Sequence, residues 1–235
     1  MELKVLSYNI HSCFGVDGKY DPSRVAAIIQ NSGADLVALQ EVDSSLEVRD
    51  GLNQLQYLAY RTGLTPLMGP TLKRGYGSYG NALLSRFPFS AVREINLTYR
   101  KFEPRGLLQA KMHVGDNVVS VFNTHFGLKH WERKFQSQRL CDELENDIHD
   151  CALIFGDFNE WFGWSRNLNW LENSFSKSPR LPTYPSRWPK FALDRIFASP
   201  SVTFIESQVL VDQKTRVASD HLPVLAKIRL ENSCQ

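Results

Sequence analysis

Apolar residues fall in short runs separated by turn-forming residues, the pattern of strands buried between other layers rather than of long helices. Residues 3–8 and 35–40 read as strands. Between them, residues 22–30 read as a helix with Asp21 as N-cap and Pro22 at its first position. Further strands are expected at 82–85, 89–96, 107–114, 118–123, 153–155, 193–198, 202–210 and 223–230. The turn Val114-Gly115-Asp116-Asn117 joins two of them as a hairpin, so antiparallel pairing accompanies the β-α-β opening. Helical periodicity covers 131–148, where Leu140, Leu144 and Ile148 share a face and Trp131 and Phe135 pair on another. Residues 54–62 and 164–171 are weaker helices, and the proline-rich stretch 178–189 is an ordered loop. The pattern describes one α/β domain of mixed sheet content spanning residues 1–235.

Composition narrows the class. A chain of 235 residues with 43% hydrophobic and 22% charged residues has enough apolar surface for a core, which excludes disorder. Its 27 Lys and Arg against 25 Asp and Glu leave a net charge of +2, so affinity for a long polyanion needs a local patch. The cysteines at 13, 141, 151 and 234 show neither CxxC nor zinc spacing, and no disulfide framework is expected. The N-terminus MELKVLSYNIH has no export-signal pattern, so a soluble, cytoplasmic monomer is expected.

Several motifs fail. Residues 75–80 match GxGxxG but lack the preceding strand and following helix that dinucleotide binding needs, and are expected to form a loop or turn. GxxxxGK[ST], HExxH and GxSxG do not occur. What recurs is an apolar run bounded by a group suited to metal or phosphate. Asn9 follows KVLSY, Glu41 follows LVALQ, His125 follows VSVFNT, and Asp157 and Asn159 close ALIFGDFN. Asp194 lies near the start of ALDRIF, and Asp220 and His221 precede LPV. Each alone fits a turn, a cap or a hydrogen-bonded core histidine. Together they fit one site at a sheet rim, because polar groups beside buried strand ends are costly unless compensated. Carboxylate and amide oxygens suit Mg²⁺ or Mn²⁺. A divalent ion with histidines, amides and an arginine can stabilise the spread negative charge of phosphoryl transfer.

The segments YNIH, LQEVD, GNALLSRFP, PRGLLQA, NTHFGL, GDFNEW, LDRIF and SDHLPV, in this order, resemble the endonuclease/exonuclease/phosphatase superfamily, and the finer pattern resembles its small bacterial members. The resemblance implies a four-layer α/β/β/α sandwich and a phosphoesterase using Mg²⁺ or Mn²⁺. It implies Glu41 as the principal metal ligand with Asn9 beside it, and Asp220 as a further ligand on the metal side. Asp157 would orient or deprotonate the attacking water, while Asn159 and His125 would hydrogen-bond the scissile phosphate. His221, held by Asp194, would act as general base or transition-state stabiliser. Arg105 matches an arginine of the small bacterial members and offers a bidentate grip on phosphate, against the reading of a surface ion pair. Asn81 would contact substrate or support a strand. Arg133 and Gln136 fit a solvated helix face or a supporting role.

The substrate expected is a phosphate ester of a nucleic acid, a nucleotide or a lipid headgroup. A non-catalytic binding module on the same fold is the weaker reading, because a retired site has no reason to keep its carboxylates. Trp131, Trp161 and Trp164 follow metal-site motifs. Trp161 is expected to be buried; Trp131 and Trp164 are open between core and a surface that stacks on bases or makes peripheral membrane contact.

Overall fold

The structure, a computed structural model, describes residues 1–146, 151–162 and 166–231. Two six-stranded sheets carry the fold. The first runs β13 (Val202–Val209), β14 (Val224–Leu230), β1 (Glu2–Asn9), β2 (Leu36–Asp43), β6 (Gly77–Ser85), β5 (Thr65–Arg74). The second runs β11 (Ser176–Lys177), β12 (Asp194–Ala198), β10 (Cys151–Asp157), β9 (Asn117–His125), β8 (Gly106–Val114), β7 (Phe89–Asn96). A small hairpin of β3 (Glu47–Arg49) and β4 (Leu52–Asn53) follows β2. Each large sheet contains one parallel pair, β1 with β2 and β9 with β10, among otherwise antiparallel described strands.

Three apolar clusters define the layers. Leu3, Val5, Leu36 and Leu83 of the first sheet meet Val121, Leu153, Phe155 and Ile196 of the second. The outer face of the first sheet, with Leu6, Val37 and Leu84, packs on Val25 and Ile29 of α1 (Pro22–Ser32) and Leu58 of α2 (Gln54–Thr62). On the other side, Phe122, Ile154 and Phe197 pack on Leu140 and Leu144 of α3 (His130–Asn146) and Leu171 of α4 (Asn169–Ser174). The result is the expected four-layer α/β/β/α sandwich. Central strands covered on both faces explain why their sequences are continuously apolar. Helix ends follow local chemistry: Asp21 accepts from the backbone N–H of Ser23 and Arg24, Asn53 and Gln56 form a capping box, and Gly33 and Gly63 close α1 and α2 at φ 62° and 71°.

The structure departs from expectation at identifiable places. β5 was not expected because Pro66 and Pro70 interrupt its pattern, but it lies at a sheet edge, where a missing N–H is tolerated. Of the GxGxxG segment, Gly75 and Tyr76 form the turn, while Gly77–Gly80 already belong to β6. Helix α3 begins at His130, and Ile148 lies outside the described residues. Trp131 and Phe135 do not pair, since Phe135 packs on Tyr99 and Trp131 is exposed. The helix expected at 164–171 is the shorter α4, with Trp164 outside the described residues. Cys13 and Cys141 are free, whereas Cys151 is disulfide-bonded, a pairing that spacing alone does not reveal. No helix among the described residues is long and apolar enough to cross a membrane.

The most consequential departure is inside β2. Leu39 pairs with Ala82 and Val42 with Gly80, so Gln40 and Glu41 stand opposite the single residue Asn81. This β-bulge puts Glu41 at φ 59° and turns its side chain to the rim. The carbonyls at the bulge are claimed from the opposing sheet: Asn123 Nδ2 donates to Leu39 O and Ala82 O, both at 2.9 Å, and Asn123 Oδ1 accepts from Gln40 Nε2 at 2.7 Å. Asn123→Ala leaves these buried groups unsatisfied, and urea denaturation is expected to show a loss of about 1–3 kcal/mol.

Candidate active site

Strand topology gathers the polar residues at one rim. The parallel strands β1 and β2 reach it with Asn9, the last residue of β1, and Glu41, at the bulge two residues before the end of β2; β9 and β10 end there with His125 and Asp157. β12 runs antiparallel to β10 and β14 antiparallel to β1, so these two start at the same rim. That is why Asp194 opens its strand and why Asp220 and His221 precede theirs. His125, Asp157 and Asp194 form one lateral row, Asp157 being the register partner of both.

Asp157 is fully buried and contacted from every side. Asn9 Nδ2 donates to Asp157 Oδ2 at 3.1 Å and to Glu41 Oε1 at 2.9 Å, so one amide nitrogen spans a carboxylate of each sheet. Asn9 Oδ1 accepts the His11 N–H at 3.1 Å, which fixes the amide's orientation. The backbone N–H of Asn159 donates to Asp157 Oδ1 at 3.0 Å. His125 Nε2 and His221 Nε2 lie 3.4 and 3.6 Å from Asp157 Oδ2. His221 Nδ1 is 2.8 Å from Asp194 Oδ2, which also accepts from the Thr183 hydroxyl.

The two histidines are held in opposite states. Burial, the Arg105 charge and His221 together push His125 well below its ordinary value, so it is a neutral imidazole. Arg105 Nη1, an obligate donor, lies 3.1 Å from His125 Nδ1; the proton of His125 therefore sits on Nε2, toward the Asp157 carboxylate. For His221, burial favours the neutral form, but Asp194, Asp157 and Asp220 outweigh it and raise the group to about 10. Burial, reinforced by Asp194, raises Asp157 to about 6, against the opposing pull of His221 and the donors from Asn159 and Asn9. The charged form of His221 is what makes an ionised Asp157 tolerable in the interior.

Arg105 is buried, not a surface residue: besides His125 it bonds Glu103 Oε2 at 3.1 Å, and its Nε has no hydrogen-bond partner. With Glu41, Tyr79, Asn81 and His125 it lines a small crevice, which shares Thr71, Arg105 and Gly106 with a surface groove of about 400 Å³. Asn81 donates to Gly106 O at 3.0 Å and so braces the two sheets at this crevice. Asp220 lies at the site's edge, half-buried, with its backbone carbonyl accepting the Ser186 N–H. Arg133 and Gln136 are buried and act on the connection after β9: Arg133 donates to Leu128 O, and Gln136 Oε1 accepts the Gly127 N–H. Trp161 is half-buried against Tyr184 and Phe191.

The rim is built at a conformational cost. His11, Ser12 and Cys13, directly after β1, together with Glu41 and Asn159, have left-handed φ between 46° and 60° without being glycine. Such residues cost about 1–3 kcal/mol each and persist where surrounding contacts over-determine them. Here Ser12 Oγ donates to Glu41 O, and Gln54 ties Ser12 O to the Asp43 N–H.

Glu41 and Asp220 carry, partly open to solvent, the hard oxygen type that a divalent cation takes. Asp157, Asp194 and His221 also present ligand atoms within 4.8 Å of one another, but there a proton already bridges His221 and Asp194. The sequence model described as Endonuclease/Exonuclease/phosphatase family matches residues 6–221. The chain belongs to that family. Relatives of this family include Uncharacterized protein YbhP of Escherichia coli, 27% identical over 97% of this chain and 96% of its own length. The crystal structure of an endonuclease/exonuclease/phosphatase from Beutenbergia cavernae superposes over 98% of this chain and 72% of its own, at a TM-score of 0.79 and 25% identity. D. rerio TDP2 complexed with single strand DNA product shares the fold, at a TM-score of 0.76 and 16% identity over 97% of this chain and 99% of its own.

Several residues that brace the candidate site were not singled out in the sequence. Asn123 and Gln40 stand within NTHFGL and LQEVD beside the residues singled out there, Thr183 lies in a loop, and Tyr79 lies within the GxGxxG match. Ser219, whose hydroxyl donates to Asn9 O at 2.8 Å and accepts the His221 N–H at 3.2 Å, was visible as the first residue of SDH. In Asp194→Asn, His221 should titrate well below 10, toward its ordinary value; an imidazole NMR titration reads this directly. In the unsubstituted protein the imidazolium's contribution to stability is complete below pH 6.5 and is lost as pH rises through about 10.

Proposed function

We propose that the chain is a divalent-metal-dependent phosphoesterase that hydrolyses a phosphodiester or phosphomonoester by direct water attack. The observation that carries this reading is the buried row His125–Asp157–Asp194, joined through Asn9 to Glu41 on the other sheet. Glu41 is the principal ligand of Mg²⁺ or Mn²⁺, Asp220 a further one, and Asn9 sits against Glu41 and sets its orientation. The bound ion supplies charge neutralisation for the ester oxygens.

The remaining work belongs to the protein's own groups. Asp157, kept ionised by His221 and its donors, accepts a hydrogen bond from the attacking water and takes its proton as the bond to phosphorus forms, while the opposite ester P–O bond breaks and the alkoxide departs to take a proton from solvent. His221, kept charged by Asp194, donates from Nε2 to the phosphoryl oxygens, where negative charge grows. The Asn159 amide and the Nε2–H of His125 face the same region and donate to the scissile phosphate. Arg105 holds His125 in that tautomer and brings its positive charge to the substrate side of the crevice that it lines with Glu41 and Asn81. Family membership supports ester hydrolysis of this kind.

Bis-p-nitrophenyl phosphate with Mn²⁺ tests the reading. Hydrolysis should require the metal, stop with EDTA, and fall by about 10²–10⁴-fold in His221→Ala, with a comparable loss in Glu41→Ala. Activity unchanged in either variant would overturn the assignment.

A further inference from the structure

Four connections that reach the catalytic rim carry a large apolar side chain in open solvent, each beside exposed cations. Tyr76, fully exposed, is in the turn between β5 and β6, three residues after Lys73; the intervening Arg74 is paired with Asp43. Phe102, 41% exposed, lies between β7 and β8 beside Arg100 and Lys101. Leu128 and Trp131, 60% and 67% exposed, follow β9 with Lys129 and Lys134. Trp188, 76% exposed, precedes β12 between Arg187 and Lys190.

Their common side follows from the pairing. Tyr79 of β6 stands opposite Asp43 at the end of β2, Leu107 of β8 opposite Thr124 of β9, and Asp194 of β12 opposite Asp157. All four connections therefore emerge where Glu41, His125 and Asp157 do. Within these segments Glu103 is the single exposed acid, and it is bonded to Arg105. Apart from Arg74 and Arg105, none of the Lys and Arg residues named above is in an ion pair among the described residues. A protein of net charge +2 thus presents a locally cationic, aromatic collar around its site.

We infer that this collar docks the rim on an anionic phospholipid surface. Rings at headgroup depth with flanking Lys and Arg are the chemistry of interfacial attachment, and exposed apolar surface of this extent marks a contact. A single-stranded nucleic acid also recruits rings and cations, but it needs them in succession along a groove. Here they stand at the tips of four separate connections, and Leu128 has no ring to stack. Docking needs no hydrolysis; that the docked surface presents its phosphate ester to the site rests on the phosphoesterase reading above.

The full chain is to be co-sedimented with vesicles of phosphatidylcholine containing phosphatidylglycerol, with pure phosphatidylcholine vesicles, and tested against a single-stranded oligonucleotide. The expected result is a preference for the anionic vesicles that salt weakens, reduced about tenfold in Trp131→Ala/Trp188→Ala and in Lys101→Glu/Lys190→Glu. Both double variants keep their hydrolysis of soluble bis-p-nitrophenyl phosphate. Glu41→Ala loses hydrolysis and still sediments, so the two readings fail separately. No preference for anionic vesicles, sedimentation undiminished in both double variants, or oligonucleotide binding in place of vesicle binding would overturn the inference.

Discussion

A carboxylate almost wholly withdrawn from solvent, Asp157, sets the terms for the rest of the rim. Leaving it ionised in the interior is costly unless donors and a positive charge surround it. The Asn159 backbone and the Asn9 amide supply the donors, and His221, made a cation by Asp194, supplies the charge. The same Asn9 nitrogen reaches Glu41, so compensating one buried charge on the second sheet also positions the half-open carboxylate on the first. Stability and chemistry are here one network. Removing any member leaves another uncompensated.

That network is possible because the sheets repeat one arrangement. Each has a parallel pair whose two strands end at the rim, flanked by an antiparallel strand that begins there. Residues separated by most of the chain, from Asn9 to His221, meet because their strands end or begin at the same rim. The bulge in β2 adds the last adjustment by turning Glu41 out of the strand's alternation, and Asn123 satisfies the carbonyls that the bulge frees. Left-handed residues at His11–Cys13, Glu41 and Asn159 record the same demand in the backbone.

Most of the strands, α1 and α2 were legible because both-faces-buried strands are continuously apolar and helix caps are local signals. The polar residues of the site were legible for the same reason, standing out against apolar runs at strand boundaries. β5 escaped because its prolines are admissible at an edge, a property of sheet order that no local window contains. Gln40, Asn123 and Thr183 escaped because their role is to satisfy partners distant in sequence, and Glu41 was read as bounding a strand that in fact continues to Asp43. Arg105, open between an ion pair and a site role, proved to be bonded to both Glu103 and His125.

Asp157 is kept ionised in the interior by the Asn9 and Asn159 donors and the charged His221, and in the proposed function that anion is the base for the attacking water. The isosteric Asp157→Asn keeps the shape and the Asn9 contact but cannot accept a proton. Measured side by side with the unsubstituted protein, this variant should stay folded by circular dichroism while hydrolysis falls by about 10²–10⁴-fold. A folded Asp157→Asn protein that retains the original hydrolytic rate would contradict the account.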